Sequence, residues 1–324
     1  MNLSRRSLFK FGAFGAAALS TPSLITTRAN AEVPMSAVTQ SGFNRLKLGS
    51  FEVTVLQDGA RVAENPQSIF GTNKTKEDVE ALLTENFLPI DKMQFTFAPV
   101  LVNTGTDLIL FDTGNGAGGR EGGAGRMLEN LKASGYTPEQ VTLVVITHMH
   151  GDHIGGIMEG GVPTFPNARY AFGQTEFDFW KDEKLIGSPA EGGHKGVIAN
   201  IVPLAEKATF YGDGASIAGG ITAIAAAGHT PGHTVFNIES GGKNLMLTAD
   251  TANHFVLSLR QPDWEVRFDA DKAAAAASRR KVFDRIAADR IPFIGYHMPY
   301  PSVGYVEKSG EGFRFVPETY QLDI

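Results

Sequence analysis

Residues 147–153 read Thr147-His148-Met149-His150-Gly151-Asp152-His153, directly after the apolar run Val141-Thr142-Leu143-Val144-Val145-Ile146. The run is short, rich in β-branched residues and ended by polar ones, so it reads as a buried strand. Side chains alternate along an extended segment, which points His148 and His150 the same way. The strand then gives way to a loop containing Gly151, and Asp152 and His153 can turn back toward the same point. Imidazole and carboxylate together suit zinc and related divalent metals. A polar loop of solvated histidines is the plainer alternative. It is disfavoured because the chain has 8 histidines and three of them fall in this one stretch.

The same pattern recurs downstream. Gly228-His229-Thr230-Pro231-Gly232-His233-Thr234 follows the apolar run Ile221–Ala227, and Pro231-Gly232 forms a turn that can present His233. Leu247-Thr248-Ala249-Asp250 ends another strand with a carboxylate, and Ile294-Gly295-Tyr296-His297 ends a third with a histidine. Sites on mixed α/β scaffolds gather at such strand ends. His148, His150, Asp152, His153, His233, Asp250 and His297 together exceed the needs of one tetrahedral zinc. They suit two ions sharing a bridge, with Asp250 the natural bridging carboxylate. His229, before the Pro-Gly turn, reads as a supporting group beside the ligands.

Composition bounds the chemistry. The chain has 324 residues, 42% of them hydrophobic and 20% charged, which is globular. It has no cysteine, so disulfides, thiolate ligands and a cysteine nucleophile are excluded. The opening Ser4-Arg5-Arg6-Ser7-Leu8-Phe9-Lys10, the short apolar stretch Phe11–Leu19 and Ala29-Asn30-Ala31 read as a twin-arginine export signal over residues 1–31. The expected partner for that segment is the export machinery, and the expected location is periplasmic or secreted. Cleavage before Glu32 would leave 25 basic and 35 acidic residues, a net charge of −10. That excludes a basic face for nucleic acid or an anionic membrane. The expected partner is a small-molecule substrate, with a homodimer left open.

Residues 32–324 read as one domain. Hairpins are expected at Arg45–Leu48/Phe51–Leu56, Pro99–Asn103/Leu108–Phe111 and Gly304–Glu307/Phe313–Val316. Further strands fit Arg169–Phe172, Ile221–Ala227, Val235–Ile238, Asn244–Thr248 and Phe293–Tyr296. Helices fit Lys76–Leu83, Arg126–Ala133, Thr175–Lys181 and Phe268–Ala288, whereas Asn115–Gly125 and Asp182–Gly196 read as Gly-rich loops. Strand runs with interspersed helices, in two similar halves, suggest two packed sheets with helices outside.

The order His148-x-His150-x-Asp152-His153, then His233, Asp250 and His297, resembles the metallo-β-lactamase superfamily over nearly all of residues 32–324. Phe111-Asp112-Thr113-Gly114 resembles the family's strand and turn whose Asp supports the metal loop. Leu101-Val102-Asn103-Thr104-Gly105, the 228–233 stretch, Tyr296-His297-Met298-Pro299 and Phe313-Arg314-Phe315-Val316-Pro317 are similar to the methyl parathion hydrolase and quorum-quenching lactonase branch. The resemblance implies an α/β fold, a four-layer αββα sandwich of two mixed β-sheets flanked by helices. It assigns His148, His150 and His233 to one metal, Asp152, His153 and His297 to the other, and Asp250 to the bridge.

The chemistry implied is hydrolysis of a lactone or ester carbonyl by hydroxide generated between two divalent ions, with Asp152 and Asp250 in catalytic roles. Zinc comes first, ahead of manganese, cobalt and iron. Organophosphate triester hydrolysis is a side activity of the same machinery. The alternatives are a β-lactamase or thioesterase of the same fold, and a non-catalytic metal-binding protein. Around the ligands, His254 either lines the pocket or sits at the surface, and His194 either gates the site or is a solvated loop histidine. Trp180, with Phe177 and Phe179, forms a pocket wall or packs a helix onto a sheet. Tyr296 and Tyr300 either donate a proton to the leaving group or pack.

Overall fold

The strand Leu143–Ile146 is buried on both faces, and that places it inside a sheet. Leu143 and Val145 face one apolar cluster, while Val144 and Ile146 face another. A computed structural model describes residues 41–318 and 320–324; the expected export signal lies outside them. Among the described residues, no helix is long and apolar enough to cross a membrane.

The first sheet has seven strands in the order Phe43–Leu48, Phe51–Leu56, Val100–Asn103, Leu108–Phe111, Leu143–Ile146, Arg169–Gly173 and Ala208–Tyr211. The first four pair antiparallel and the remaining joins are parallel. The second sheet runs Ser216–Ala218, Ile221–Ala225, Thr234–Ser240, Lys243–Ala249, Phe293–Gly295, Val303–Ser309 and Gly312–Pro317. Its one parallel join is between Lys243–Ala249 and Phe293–Gly295. Val53, Val102, Ile109, Phe111 and Val145 of the first sheet share a core with Ile221, Phe236, Leu247 and Ile294 of the second, so the sheets lie face to face. Met127, Leu131, Phe177, Trp180 and Val197 cover the outer face of the first from three helices. Val282, Phe283 and Ile286 of Lys272–Asp289 cover the outer face of the second. This is the αββα sandwich that the sequence implied.

Short strands such as Ala208–Tyr211 and Ser216–Ala218 went unread in the sequence, and two regions nearer the site also depart from that reading. Gly59–Glu64 pairs with Lys92–Phe97 in a hairpin outside both sheets, a pairing the sequence did not suggest. The signal is weak because Val62 is exposed and the helix Lys76–Glu85 interrupts the two strands. The hairpin is held instead by Phe95 and Phe97 packing among Phe70, Trp264 and Tyr296. The second departure is Glu191–Asn200, expected as loop but helical. Its Gly193 lies against the Trp180 ring, where a Cβ would collide, so this glycine allows close helix contact and does not break the helix.

Asp58, fully buried, anchors the Gly-rich loop after Asp112. Its carboxylate accepts from Asn115 N and Nδ2 at 2.9 Å each, Met127 N at 2.9 Å and Gly125 N at 3.1 Å. Removing it strands several buried donors. Asp58→Ala is therefore expected to lower stability by on the order of 3 kcal/mol, seen as a lower urea midpoint. An unchanged midpoint would show that the loop holds itself.

Candidate metal centre

Every element that brings a chemical group to the centre does so just beyond its strand end. Asp112 follows Leu108–Phe111, and Thr147–His153 follows Leu143–Ile146. His229 follows Ile221–Ala225, Asp250 follows Lys243–Ala249, and His297 follows Phe293–Gly295. His150 caps the single helical turn Gly151–Ile154, which swings Asp152 and His153 back toward the strand end.

The side chains fall into three overlapping groups: His148, His150 and His229; His148, His153 and Asp250; and Asp152, His153 and His297. His150 Nδ1 lies 3.1 Å from His148 Nε2 and 3.0 Å from His229 Nε2. Nitrogens around a tetrahedral zinc stand roughly 3.3 Å apart, given Zn–N near 2.0–2.1 Å. Asp250 sits between the clusters, with Oδ2 3.2 Å from His229 Nε2 and Oδ1 3.2 Å from His153 Nε2. His297 Nε2 is 3.2 Å from Asp250 and 3.5 Å from Asp152.

The outer nitrogens show why these rings cannot satisfy one another. His153 Nδ1 is 2.7 Å from Asp112, His229 Nδ1 is 2.9 Å from Asp269, and His297 Nδ1 donates to the Thr96 carbonyl at 2.8 Å. His148 Nδ1 meets Thr147 Oγ1 at 3.2 Å, and that hydroxyl donates to Asp112 at 2.8 Å. Each outer nitrogen thus has an acceptor for a ring proton, so the inner one would offer its lone pair to a bound cation. His153 Nε2 and Asp250 Oδ1 are buried without a hydrogen-bond partner. Bare nitrogens and carboxylate oxygens about 3 Å apart call for a cation, and this donor set fits two divalent ions.

His233, expected among the ligands, does not join them. Its Nδ1 donates to the Ala226 carbonyl at 3.0 Å and its Nε2 accepts the Asp250 amide at 3.1 Å, so neither nitrogen is free. His229 takes that place. Gly228 before it has φ +130 and lies against the Ala275 backbone, an approach a Cβ would prevent. Asp112 supports the loop as expected, with Thr147 N donating at 2.8 Å.

Three supporting residues carry no local sequence signal. Asp269 orients His229 and is in turn held by the buried Arg279 at 3.0 Å. Glu176, almost fully buried, accepts from Met149 N at 2.9 Å, Trp180 Nε1 at 2.7 Å, Thr230 Oγ1 at 2.7 Å and Gly232 N at 2.8 Å. It ties the two histidine loops together. Each reaches the site from elsewhere in the fold, so only the tertiary structure reveals it.

The ambiguous groups now have places. Trp180 is both packed and a wall, its ring edge-to-face with His150 at 5.7 Å. His194 is neither a gate nor solvated: it is buried, and Nδ1 donates to the Trp180 carbonyl at 2.8 Å. His254 is buried beside Phe70 and Phe255 and accepts two backbone N–H groups on Nδ1. Tyr296 stacks on His153 and donates to the Asp152 carbonyl at 2.5 Å, which removes it as a proton donor. Tyr300 lines a neighbouring 410 Å³ cavity beside His297 and stays outside the centre.

Charge is uneven across the cluster. Burial pushes His150 and His254 down to about 3, and His233 likewise. Burial also opposes a charge on His229, but hydrogen bonds to Asp250 and Asp269 outweigh it and lift it to about 9. Asp250 stays well below the usual carboxylate range because His297 and His153 overcome its desolvation.

A cleft of about 700 Å³ opens onto His150, Asp152, His229, Asp250 and His297. Residues 99–292 match the family described as the metallo-beta-lactamase superfamily. The chain belongs to the metallo-β-lactamase superfamily. Among solved structures it is similar to AidC, a dizinc quorum-quenching lactonase in complex with a product. The two share 30% identity at a TM-score of 0.80, over 87% of this chain and 99% of AidC. The hydrolase AbOPH is similar at 28% identity and TM-score 0.80, over 88% and 100% of the two chains. The N-acyl homoserine lactonase AttM of Agrobacterium fabrum (strain C58 / ATCC 33970) shares 30% identity over 135 residues. That match covers 39% of this chain and 46% of AttM, so the chain spans about half of that curated relative.

The exchange of His233 for His229 is directly testable by metal analysis. His229→Ala is expected to retain about one zinc per chain, whereas His233→Ala keeps two and loses stability instead. Equal metal loss in both variants would restore His233 as a ligand.

Proposed function

We propose that the chain is a two-metal hydrolase of lactones and carboxylic esters. The observation that carries this is the convergence of seven donor side chains, two of whose buried atoms, His153 Nε2 and Asp250 Oδ1, have no hydrogen-bond partner. The 30% identity to a dizinc lactonase along nearly its whole length supports it. His148, His150 and His229 would hold one ion, Asp152, His153 and His297 the other, with Asp250 between them. Zinc is the first candidate for both.

Bound there, such ions would supply Lewis-acid chemistry, easing deprotonation of water near neutral pH and polarisation of an electrophilic oxygen. The chain's own groups do the rest. Asp112, Asp269 and the Thr96 carbonyl fix ring orientation, and Glu176 keeps the two histidine loops in register. Asp152, part-exposed on the cleft floor, is the carboxylate placed to take the proton of the attacking water. Trp180, Phe95, Phe97 and Phe268 wall the cleft and exclude bulk water from the reacting carbonyl. The same walls suit an aryl leaving group, so phosphotriester hydrolysis in the manner of methyl parathion hydrolases is a side activity of this reading. Arg5-Arg6 and Ala29-Asn30-Ala31 support export to the periplasm.

Zinc-loaded enzyme is expected to turn over lactones and aryl esters faster than phosphotriesters or β-lactams in one substrate panel. Chelation should abolish activity and added zinc restore it, and Asp250→Ala should cost at least about 100-fold in kcat. A panel in which only β-lactams or thioesters react, or in which chelation changes nothing, contradicts the proposal. Export is checked by fractionation: Arg5→Lys with Arg6→Lys should hold the protein in the cytoplasm, and unchanged periplasmic yield would refute the signal.

A further inference from the structure

Arg61 stands on the wall of the metal-site cleft and has no acidic partner among the described residues. It lies on the outlying hairpin, where its backbone pairs with Phe95, and its guanidinium sits over the Phe97 ring at 5.7 Å. Its Nε is buried and makes no hydrogen bond. A buried guanidinium N–H left unpaired is costly, so a native chain keeps one only where something else supplies the acceptor. Among the described residues lining the cleft, the acids are Asp152 and Asp250, and both face the histidines. Arg267 lines the same cleft, over Phe268 at 5.0 Å, and none of the described acidic residues pairs with it either. An acidic protein thus presents, at this cleft, two arginines that have no acidic partner among the described residues.

The Gly-rich loop 115–125 acquires a purpose here. A Cβ on Gly119 would stand 3.2 Å from Arg61 Nη2, and one on Gly122 would stand 3.1 Å from Nε. Bare glycines let the loop pack directly against the guanidinium on the cleft wall, and Asp58 locks that loop in place.

We infer that Arg61, with Arg267, recognises a carboxylate that the substrate carries away from the scissile carbonyl. The planar guanidinium binds a carboxylate through two parallel N–H···O bonds, which a ketone, ether or methyl ester cannot match. The substrate class narrows accordingly, to lactones and esters bearing a free carboxylate. This rests on the hydrolase reading above and adds a specificity determinant to it.

The test compares the nitrophenyl half-ester of glutaric acid with its methyl-capped diester, using zinc-loaded full-length enzyme. Wild-type enzyme should prefer the half-ester through a lower KM. Arg61→Met should reduce the half-ester to diester ratio of kcat/KM by roughly 10- to 100-fold, with Arg61→Lys retaining part of it. Gly122→Ala, which crowds Nε without removing the charge, should move the ratio the same way. An absent wild-type preference, or an unchanged ratio in Arg61→Met with its two zincs intact, overturns the inference. If wild-type enzyme hydrolyses neither ester, the hydrolase reading fails separately. Recognition is then read from calorimetric binding of monomethyl glutarate, where equal affinity in wild type and Arg61→Met overturns it.

Discussion

The structure turns on the fixing of ring protons. Four histidines place their Nδ1 protons on outward acceptors: Asp112, Asp269, the Thr96 carbonyl and the Thr147 hydroxyl. Their inner nitrogens are then bare and crowd against His150 and two carboxylates. An unfilled arrangement of this kind is electrostatically unfavourable in a buried site, and only cations at its centre reconcile it. Much of the surrounding fold serves that constraint. Arg279 is fully buried to hold Asp269, and Glu176 sits between two loops to hold His150 and His229 in register. The face-to-face sheets supply what side-chain chemistry cannot, a rigid edge where five strand ends meet.

The two-sheet sandwich was legible because its strands announce themselves. Leu143–Ile146 and Leu108–Phe111 are continuous apolar runs, buried on both faces between a sheet and a helix layer. The first histidine cluster was legible for a related reason: four donors packed into six residues have little else to do. What escaped was anything that depends on partners distant in sequence. The hairpin Gly59–Glu64/Lys92–Phe97 pairs across an intervening helix and has one exposed valine where alternation would call for burial. Arg61 is invisible for the same reason, since an arginine in a polar stretch carries no mark of which cleft it will line.

The 228–233 stretch shows the limit most clearly. Two histidines flank a Pro-Gly turn, and the turn alone favours the second. The choice is made by groups that approach from elsewhere: Asp269 captures His229 Nδ1, while Ala226 and Asp250 occupy both nitrogens of His233. His233 fixes the backbone of Asp250, the carboxylate that lies between the two clusters. A residue type and its spacing mark a candidate ligand, but its second nitrogen decides the role.

The most direct test of the account is anomalous diffraction at the zinc edge from zinc-loaded crystals. Two peaks roughly 3.5–4 Å apart are expected. One should have His229 Nε2 within about 2.1 Å, with Asp250 shared between the two. A single peak, or a zinc bound by His233 in place of His229, would contradict it.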